Sequence, residues 1–423
     1  MATAPLRIPV MNDRNENPHQ QTSVPSKLAA SALVNSSKAW LSQDPLQAQI
    51  LISNGLRLAP ELSAGYFNLG LALHQQARPT AAIRAYRMAL HFSDGDPLVR
   101  HSAQRNLAQE LLLAGAFHEG WQRYEDRLDA SDHRFFQERC GDSWQGMRDP
   151  RQLKRLVLVA EQGLGDTLMF CRLGLDLQQH LRRPITLFCQ KPLVPLLEQC
   201  SAMDQVTADI NNNLLSQEGM LWCPLMSLPS RQNLDPATLR QRGPYLNLDT
   251  KVVSRWRRKL KRRPGHRLIG LHWQGNPHHE GSLYSQGRSM PFAELCRLKG
   301  LEAVEFVSVQ KGPGSEQLDL DAGLPFVAGQ SEVSASMDFI DTAAVLANCD
   351  LLISADSGVV HLAGALGTPT WVALCCVPEW RWGLTGERTP WYESLRLFRQ
   401  PEHGNWPEVI RSMAKHWLQD IKP

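Results

Sequence analysis

The chain has 423 residues and a formal net charge of +3, from 45 Lys and Arg against 42 Asp and Glu. This balance argues against a nucleic-acid-binding protein, and the lack of an apolar run of about 20 residues leaves at most a peripheral membrane contact. A hydrophobic content of 43% and this length predict two or three domains with ordinary cores.

The first segment, residues 1–28, is rich in Asn, Gln, Pro and Ser and has no apolar periodicity, so we expect a disordered tail. It also lacks the apolar core that a secretory signal peptide needs. The nine cysteines form no Cys-x-x-Cys pair, and many lie in apolar runs. These features predict reduced, buried thiols and a cytoplasmic protein.

Residues 29–130 have the spacing of helical repeats. The segment 66–73 (YFNLGLAL) precedes Ala82 and Tyr86, which is the aromatic, Leu-Gly, Ala, aromatic order of tetratricopeptide repeats. Ala48 lies 34 residues before Ala82, and a third unit around Gly120 follows after 38 residues. We predict about three repeats, with an unrelated helical bundle as the alternative.

From Arg155 onwards, short apolar runs alternate with helical segments, which predicts buried parallel strands. The expected strands are 156–160, 185–189, 220–223, 268–272, 304–309, 351–354 and 370–374. They divide into two doubly wound lobes, residues 151–250 and 265–400, with a cleft between them. A basic segment, 251–263, is expected to be a solvated linker helix, with contact to anionic lipid or nucleic acid as the alternative. A C-terminal helix within 401–423 is expected to pack on either lobe.

The first stretch with residues suited to binding or catalysis is the turn Gly163-Leu164-Gly165-Asp166, which lies between a predicted strand and a predicted helix. Such turns lie at the edge of the sheet where doubly wound folds bind ligands. A dinucleotide site would need a third glycine and an acid after the second strand, and both are missing. Asp166 is a candidate base, although an acid at a helix start is also a common cap.

The second stretch, Asp356-Ser357-Gly358, follows a strand and begins a helix. Free backbone amides at such a helix start, together with the serine hydroxyl, suit a phosphate. His361 follows one turn later and is expected to face the same opening. The alternative for His361 is a core histidine with backbone partners.

A third stretch runs from Trp273 through Gly275 and Asn276 to Arg288. The guanidinium of Arg288, just before a predicted helix, is suited to a diphosphate. The intervening loop, 278–287, has the composition of a mobile, solvated segment. His278 and His279 have no third ligand at a suitable spacing, so no metal site is expected.

These stretches recur in the order found in a known group of proteins. The motifs are 161–166 (EQGLGD), 273–277 (WQGNP), 308–312 (SVQKG), 356–369 (DSGVVHLAGALGTP) and the tail from 378 to 401. The chain resembles bacterial tetratricopeptide proteins whose catalytic region is of the heptosyltransferase type, glycosyltransferase family 9. The resemblance covers residues 30–420.

The resemblance implies a GT-B fold and an inverting, metal-independent transfer from a nucleotide sugar, with no other cofactor. Asp166 takes the place of the base, with Gly163, Leu164 and Gly165 on the acceptor side. The resemblance implies that the donor diphosphate is bound by Asp356, Ser357, Gly358 and His361. Ser357 replaces the usual threonine. The basic residue that binds the donor phosphates in this family corresponds to Arg288 or Lys311. The remaining candidates on the donor side are Trp273, Gly275, Asn276 and Gln310.

The predicted function is therefore a glycosyltransferase that acts on a hydroxyl of a protein or glycan, the latter free or lipid-linked. The repeats are expected to recruit the acceptor or a protein partner. The alternative is a non-catalytic tetratricopeptide scaffold with a degenerate transferase region.

Overall fold

The structure, a computed structural model, describes residues 24–128, 134, 136–138, 142–146, 153–209 and 219–420. Most of the predicted tail and Cys140 lie outside these residues. Residues 24–28, which the sequence placed in the tail, form the beginning of the first helix instead.

The N-terminal region consists of six helices: α1 (Val24–Ser37), α2 (Pro45–Leu58), α3 (Ser63–Gln75), α4 (Pro79–His91), α5 (Pro97–Leu113) and α6 (Phe117–Tyr124). Proline begins three of them, where its missing N–H costs no helical hydrogen bond. Aspartates cap α2 and α5: Asp44 accepts from the amide of Gln47 at 2.9 Å, and Asp96 accepts from that of Val99 at 3.1 Å. The predicted helical region is thus present.

Small residues allow consecutive helices to approach closely, as the sequence pattern predicts. A methyl group on Gly70 of α3 would overlap the ring of Tyr86 on α4. Ala82, at the start of α4, is fully buried. A larger side chain at either position would push the two helices apart.

The first lobe has a four-stranded parallel sheet: β1 (Arg155–Val159), β2 (Ile185–Phe188), β3 (Gln205–Thr207) and β4 (Met220–Pro224). The strand order is β3-β2-β1-β4. Its helices are α7 (Leu164–Leu181), α8 (Val194–Cys200) and α9 (Leu228–Arg231). The order reverses beside β1, so the loop that follows β1 lies at the crevice where such sheets bind ligands.

The second lobe has a five-stranded parallel sheet: β5 (Arg267–His272), β6 (Val304–Ser308), β7 (Leu351–Ala355), β8 (Thr370–Leu374) and β9 (Leu395–Arg399). The strand order is β6-β5-β7-β8-β9. Its helices are α10 (Thr250–Leu260), α11 (Phe292–Leu295), α12 (Gln330–Ala335), α13 (Phe339–Leu346), α14 (Gly358–Leu366) and α15 (Trp406–Asp420). The order reverses between β5 and β7, which places the ends of these two strands at the second crevice. The two lobes form a GT-B-like arrangement.

Both flanking helices of the second lobe pack on it. In α10, the basic segment expected to be a linker, the indole of Trp256 donates to Asp341 at 2.7 Å, and Arg255 pairs with the same carboxylate at 2.6 Å. The C-terminal helix α15 places Trp417 at 6.3 Å, ring to ring, from Trp371 of β8. Neither helix bridges to the first lobe through these contacts.

Helix α6 joins the core that the two lobes share. The ring of Trp121 lies 6.5 Å from that of Phe170 in the first lobe, and 5.4 and 6.4 Å from those of Trp380 and Trp391 in the second. The indole of Trp121 also donates to the carbonyl of Leu234 at 3.1 Å. The end of the helical region is therefore part of one continuous core with both lobes.

Within the ranges that the structure describes, none of the helices is long and apolar enough to cross a membrane. The eight cysteines in those ranges are free, and six of them are buried. Burial raises the pKa of Cys171 to about 12, so this thiol stays protonated at neutral pH.

Candidate active site

Two strand-end loops, one from each lobe, meet at the boundary between the lobes. The loop after β1 begins α7, and the loop after β7 begins α14. A methyl group on Gly165 would lie 3.0 Å from the Cα atom of Gly358 and 2.9 Å from Cδ2 of His361. Glycine at 165 therefore makes room for the backbone of the other lobe.

The first-lobe turn is held by local hydrogen bonds. The amide of Gly163 donates to Oδ2 of Asp166 at 2.8 Å, which closes the N-terminus of α7. Leu164 is the first residue of α7 and packs against the shared core. The preceding residue, Gln162, has φ +63° although it is not glycine. Its side-chain amide donates to the hydroxyl of Tyr124 at 3.1 Å, which helps to hold this backbone against a strain of about 1–3 kcal/mol.

Asp166 lies in a buried chain of alternating charges. The guanidinium of Arg381, 8% exposed, binds Oδ1 of Asp166 through one nitrogen and Oε1 of Glu379 through another. It also lies 4.3 Å from the ring centroid of Trp380. Burial disfavours the charge, but Glu379 and Asp166 hold the pKa of Arg381 above its usual range. Asp166 is therefore both a helix cap and an ion-pair partner.

The sequence did not single out Glu379 and Arg381 as site residues. They lie in residues 378–382, which belong to the tail of the resemblance. The available signal was an arginine between Trp380 and Trp382 with an acid, Glu379, two residues before it. Burial raises the pKa of Glu379, while Arg381 opposes that rise.

Arg288 and Asp356 come together on the second lobe, as the sequence suggested. Nε of Arg288 lies 3.0 Å from Oδ2 of Asp356, and Nη2 donates to the carbonyl of Asp356 at 3.3 Å. Asp356 is 4% exposed. The carboxylate of Asp356 raises the pKa of Arg288, which keeps this guanidinium charged despite its burial.

Ser357 is the N-cap residue of α14, but its hydroxyl turns towards another strand. Its Oγ lies 3.2 Å from Nδ1 of His272, the last residue of β5. The hydroxyl of Ser357 thus does not cap α14, whose first turn is closed by the amide of Val360 donating to the carbonyl of Ser357 at 3.1 Å. The amides before Val360 are left for another acceptor. The sequence did not select His272 as a site residue, although it directly precedes Trp273.

His361 combines a core position with a place at the boundary. Its Nδ1 lies 3.1 Å from the hydroxyl of Tyr392, and its ring stacks on that of Trp382 at a centroid distance of 5.5 Å. The side chain is buried, and its Cδ2 edge faces Gly165 of the other lobe. The partner of His361 is thus a tyrosine hydroxyl and not the backbone that the core interpretation expected.

Three further candidates make contacts within the second lobe. The indole of Trp273 is fully buried and donates to the carbonyl of Gly314 at 3.1 Å. The amide of Gln310 accepts from the backbone of Trp273 and of the next residue, and donates to two carbonyls. The ammonium of Lys311 donates to the carbonyl of Val333 on α12. Through these contacts the three side chains stabilise the loops of the second lobe.

The remaining candidates follow β5. The amide of Gly275 donates to Oγ of Ser289 at 3.0 Å, and the exposed Asn276 accepts from the amide of His278 at 3.1 Å. The loop beyond them, predicted to be mobile and solvated, packs against the helical region instead. Tyr284 of this loop stacks on the buried ring of His74 at a centroid distance of 3.9 Å.

The boundary carries charges of both signs, since Arg288 and Arg381 are paired with the carboxylates of Asp356, Asp166 and Glu379. The N-termini of α7 and α14 carry partial positive charge, and they meet at Gly165 and Gly358. Arg288 and Arg381 add two guanidinium groups, which are paired with carboxylates in this structure. An incoming diphosphate can replace those carboxylates as the partner of either guanidinium.

The two buried histidines predict a pH dependence of stability. Burial lowers the pKa of His272 and of His361 from 6.5 to about 4. Between these values the unfolded chain binds more protons than the folded one, so the free energy of unfolding falls as the pH drops from 6.5 towards 4. Each histidine contributes up to about 3 kcal/mol to this fall. Urea unfolding at pH 7 and pH 5 measures it.

The matched comparison for this pH dependence is a double variant, His272→Gln with His361→Gln. We expect its stability to depend less steeply on pH than that of the wild type. An equal slope in both proteins would contradict the assignment of the effect to these two rings.

A comparison with sequence models of known families gives a match in the second lobe. The sequence model described as Glycosyltransferase family 9 (heptosyltransferase) matches residues 313–396. The matched range includes Asp356 to His361, Glu379 and Arg381, and it leaves out the whole first lobe. The match to this family model therefore lies within the second lobe.

The chain is also similar to Protein FlbA of Caulobacter vibrioides, with 28% identity over 388 residues. The matched part is 86% of this chain and 63% of FlbA, so the chain spans less than two thirds of that relative's length. Among solved structures, E. coli ADP-heptose lps heptosyltransferase II gives 14% identity and a TM-score of 0.45, covering 63% of this chain and 100% of that one. A family 9 glycosyl transferase from Veillonella parvula gives 14% and 0.43, covering 62% and 89%.

Proposed function

We propose that the chain is an inverting glycosyltransferase that moves a sugar from a nucleoside diphosphate to a hydroxyl of a protein or glycan acceptor. The observation that carries this proposal is the meeting of two helix N-termini at the lobe boundary, with Asp166 on one side and the Arg288–Asp356 pair on the other. The match to the family 9 model in the second lobe supports a nucleotide sugar as the donor.

The leaving group explains the cationic side of the site. As the bond between the anomeric carbon and the phosphate oxygen breaks, the diphosphate gains negative charge. The first-turn amides of α14, Arg288 and Arg381 are placed to stabilise that charge. Because the positive charge that would stabilise the diphosphate comes from the chain itself, we propose that transfer needs no metal and continues in EDTA.

Asp166 supplies the base. The acceptor oxygen forms its bond to the anomeric carbon on the face opposite the diphosphate, and its proton passes to the carboxylate of Asp166. A single displacement of this kind inverts the anomeric centre. The ion pair with Arg381 makes Asp166 a weaker base, so a diphosphate that draws Arg381 away would strengthen it.

We also infer that the six N-terminal helices are tetratricopeptide repeats. The starts of α2 and α4, Pro45 and Pro79, lie 34 residues apart, as do those of α3 and α5, Ser63 and Pro97. This spacing equals the length of that repeat. Recruitment of an acceptor or partner by these helices rests on the sequence pattern alone.

A thermal-shift titration with ADP, GDP, UDP and CDP tests the donor side of the proposal. A nucleoside diphosphate that binds only the folded chain stabilises it by about 2.7 kcal/mol at a concentration of 100 Kd. We expect at least one of the four to raise the melting temperature, and the matching nucleotide sugar to be turned over.

The control for this titration compares two arginines. Arg288→Met should abolish the shift, whereas Arg297→Met, which removes an exposed guanidinium paired with Glu294, should keep it. No shift with any of the four nucleotides would refute the proposal. A shift without turnover of any nucleotide sugar would favour the non-catalytic scaffold.

A further inference from the structure

Residues 282–286, here called the strap, cross from the second lobe to the helical region. Leu283 packs against an apolar cluster from the first helices, which contains Leu41, Ala48 and Ile52. The side-chain amide of Gln75, at the end of α3, donates to the carbonyl of Leu283 at 2.8 Å. The strap therefore uses both a side chain and its backbone to bind the helices.

Tyr284 is the central contact of the strap. Its hydroxyl lies 2.8 Å from Oε1 of Glu110 on α5 and 2.9 Å from the hydroxyl of Tyr86 on α4. Its ring stacks on His74 of α3. Glu110 is fully buried and His74 is 2% exposed. The hydroxyl of Tyr284 therefore donates to a carboxylate that water does not reach.

A second pair of contacts fixes the end of the strap. The side-chain amide of Gln286 donates to Oε1 of Gln75 at 3.1 Å, and its carbonyl oxygen accepts from the hydroxyl of Ser42 at 3.4 Å. Gly287 follows with φ +70°, a conformation that suits glycine, and turns the chain back to the second lobe. The next residue is Arg288.

Arg288 is thus held between two anchors. On one side lies the strap, bound to α3, α4 and α5. On the other side, the amide of Met290 donates to the carbonyl of Trp273 at 2.9 Å, at the end of β5. The guanidinium between these anchors reaches Asp356 at the candidate donor site.

We propose that the helical region positions Arg288 through the strap, so that Tyr284 and Gln75 set the affinity for the donor without touching it. This inference rests on the proposed function. In this arrangement the surface of α3, α4 and α5 around Glu110 is filled by the chain itself. It acts inside the molecule and is not an open groove for a separate peptide.

The test measures binding of a nucleoside diphosphate to the full chain by calorimetry, with the nucleotide that gives the thermal shift. Tyr284→Phe removes the hydroxyl and keeps the ring on His74, and we expect about tenfold weaker binding, since one hydrogen bond to a buried carboxylate is lost. Gln75→Ala, which changes the helix side of the contact, should weaken binding in the same direction. The unfolding midpoint in urea is recorded for each variant.

The matched control is Tyr66→Phe, the same chemical change in the same helical region. Tyr66 stacks on Phe92 at a centroid distance of 5.6 Å. It borders the same apolar cluster as Tyr284, but its hydroxyl is not the one that binds Glu110. Its affinity for the nucleotide should equal that of the wild type. Equal weakening in Tyr66→Phe would overturn the proposal, because it would show a general effect of the helical region.

Amide hydrogen exchange provides a readout that does not depend on activity. Residues 282–290 should exchange faster in Tyr284→Phe and Gln75→Ala than in the wild type or in Tyr66→Phe. If the wild type binds no nucleotide, the proposed function fails, and faster exchange alone does not rescue the positioning role. If it binds and Tyr284→Phe binds equally well, only the inference about the strap is overturned.

Discussion

Replacing Asp166 with asparagine should lower the rate of sugar transfer by about 100- to 10,000-fold, the usual contribution of a general base. The amide cannot take the acceptor's proton, yet its oxygen can still accept from the amide of Gly163, so the cap of α7 is retained. Because we propose that Asp166 lies on the acceptor side, we expect the affinity for the nucleoside diphosphate to change only a few-fold. Turnover of the nucleotide sugar and calorimetry together measure the two effects.

Asp96→Asn is the matched control for this experiment. Asp96 also caps a helix, accepting from the amide of Val99 at 3.1 Å, but it lies at the start of α5 in the helical region. Its transfer rate should equal that of the wild type. A wild-type rate in Asp166→Asn would refute the role of Asp166 as the base.

Replacing Arg381 with methionine should destabilise the folded chain by about 3–5 kcal/mol, the usual result of removing one partner of a buried ion pair. The change leaves Asp166 and Glu379 without their shared cation in a site where the arginine was 8% exposed. The urea midpoint at pH 7 measures the loss. It should shrink at lower pH, because the unpaired carboxylates take up protons more readily in the folded chain than in the unfolded one.

The comparison for Arg381 is Arg297→Met, which removes an arginine of an exposed pair. Arg297 is 55% exposed in its pair with Glu294. Its loss should change stability by no more than about 0.5 kcal/mol. If the two variants were equally stable, the buried charge chain would not contribute to the fold.

Much of the fold could be predicted because its strands are buried on both faces. Runs such as Thr370–Leu374 are apolar throughout, and the structure places β8 at the same residues. Two strands were missed. β3, Gln205–Thr207, is too short to show a pattern, and in β9 Leu395 and Leu397 alternate with arginines at the edge of the sheet.

The candidate site could be predicted where chemistry follows directly after a strand. Asp166, Asp356 and His361 were found from such positions, and the structure brings them to one boundary. Trp273 and Gln310 have similar positions, but their side chains point into the interior. Sequence position alone does not give the direction of a side chain at the end of a strand.

The contacts between distant segments could not be predicted. Arg381 meets Asp166 across 215 residues, and Tyr284 meets Glu110 across 174. No local spacing links such partners, since each pair forms only when complete domains pack. For the strap, the sequence offered only a polar composition, which predicted a solvated loop. It gave no sign that the strap packs against the helical region.

The aromatic junction around Trp121 has a practical consequence for fragments of this chain. A transferase fragment that began at residue 153 would lose Trp121 and Tyr124, and would uncover the faces of Phe170, Trp380 and Trp391 that they cover. Apolar surface exposed in this way promotes aggregation. The two parts should therefore be expressed as a single unit, because the N-terminal helices cover apolar surface of both lobes.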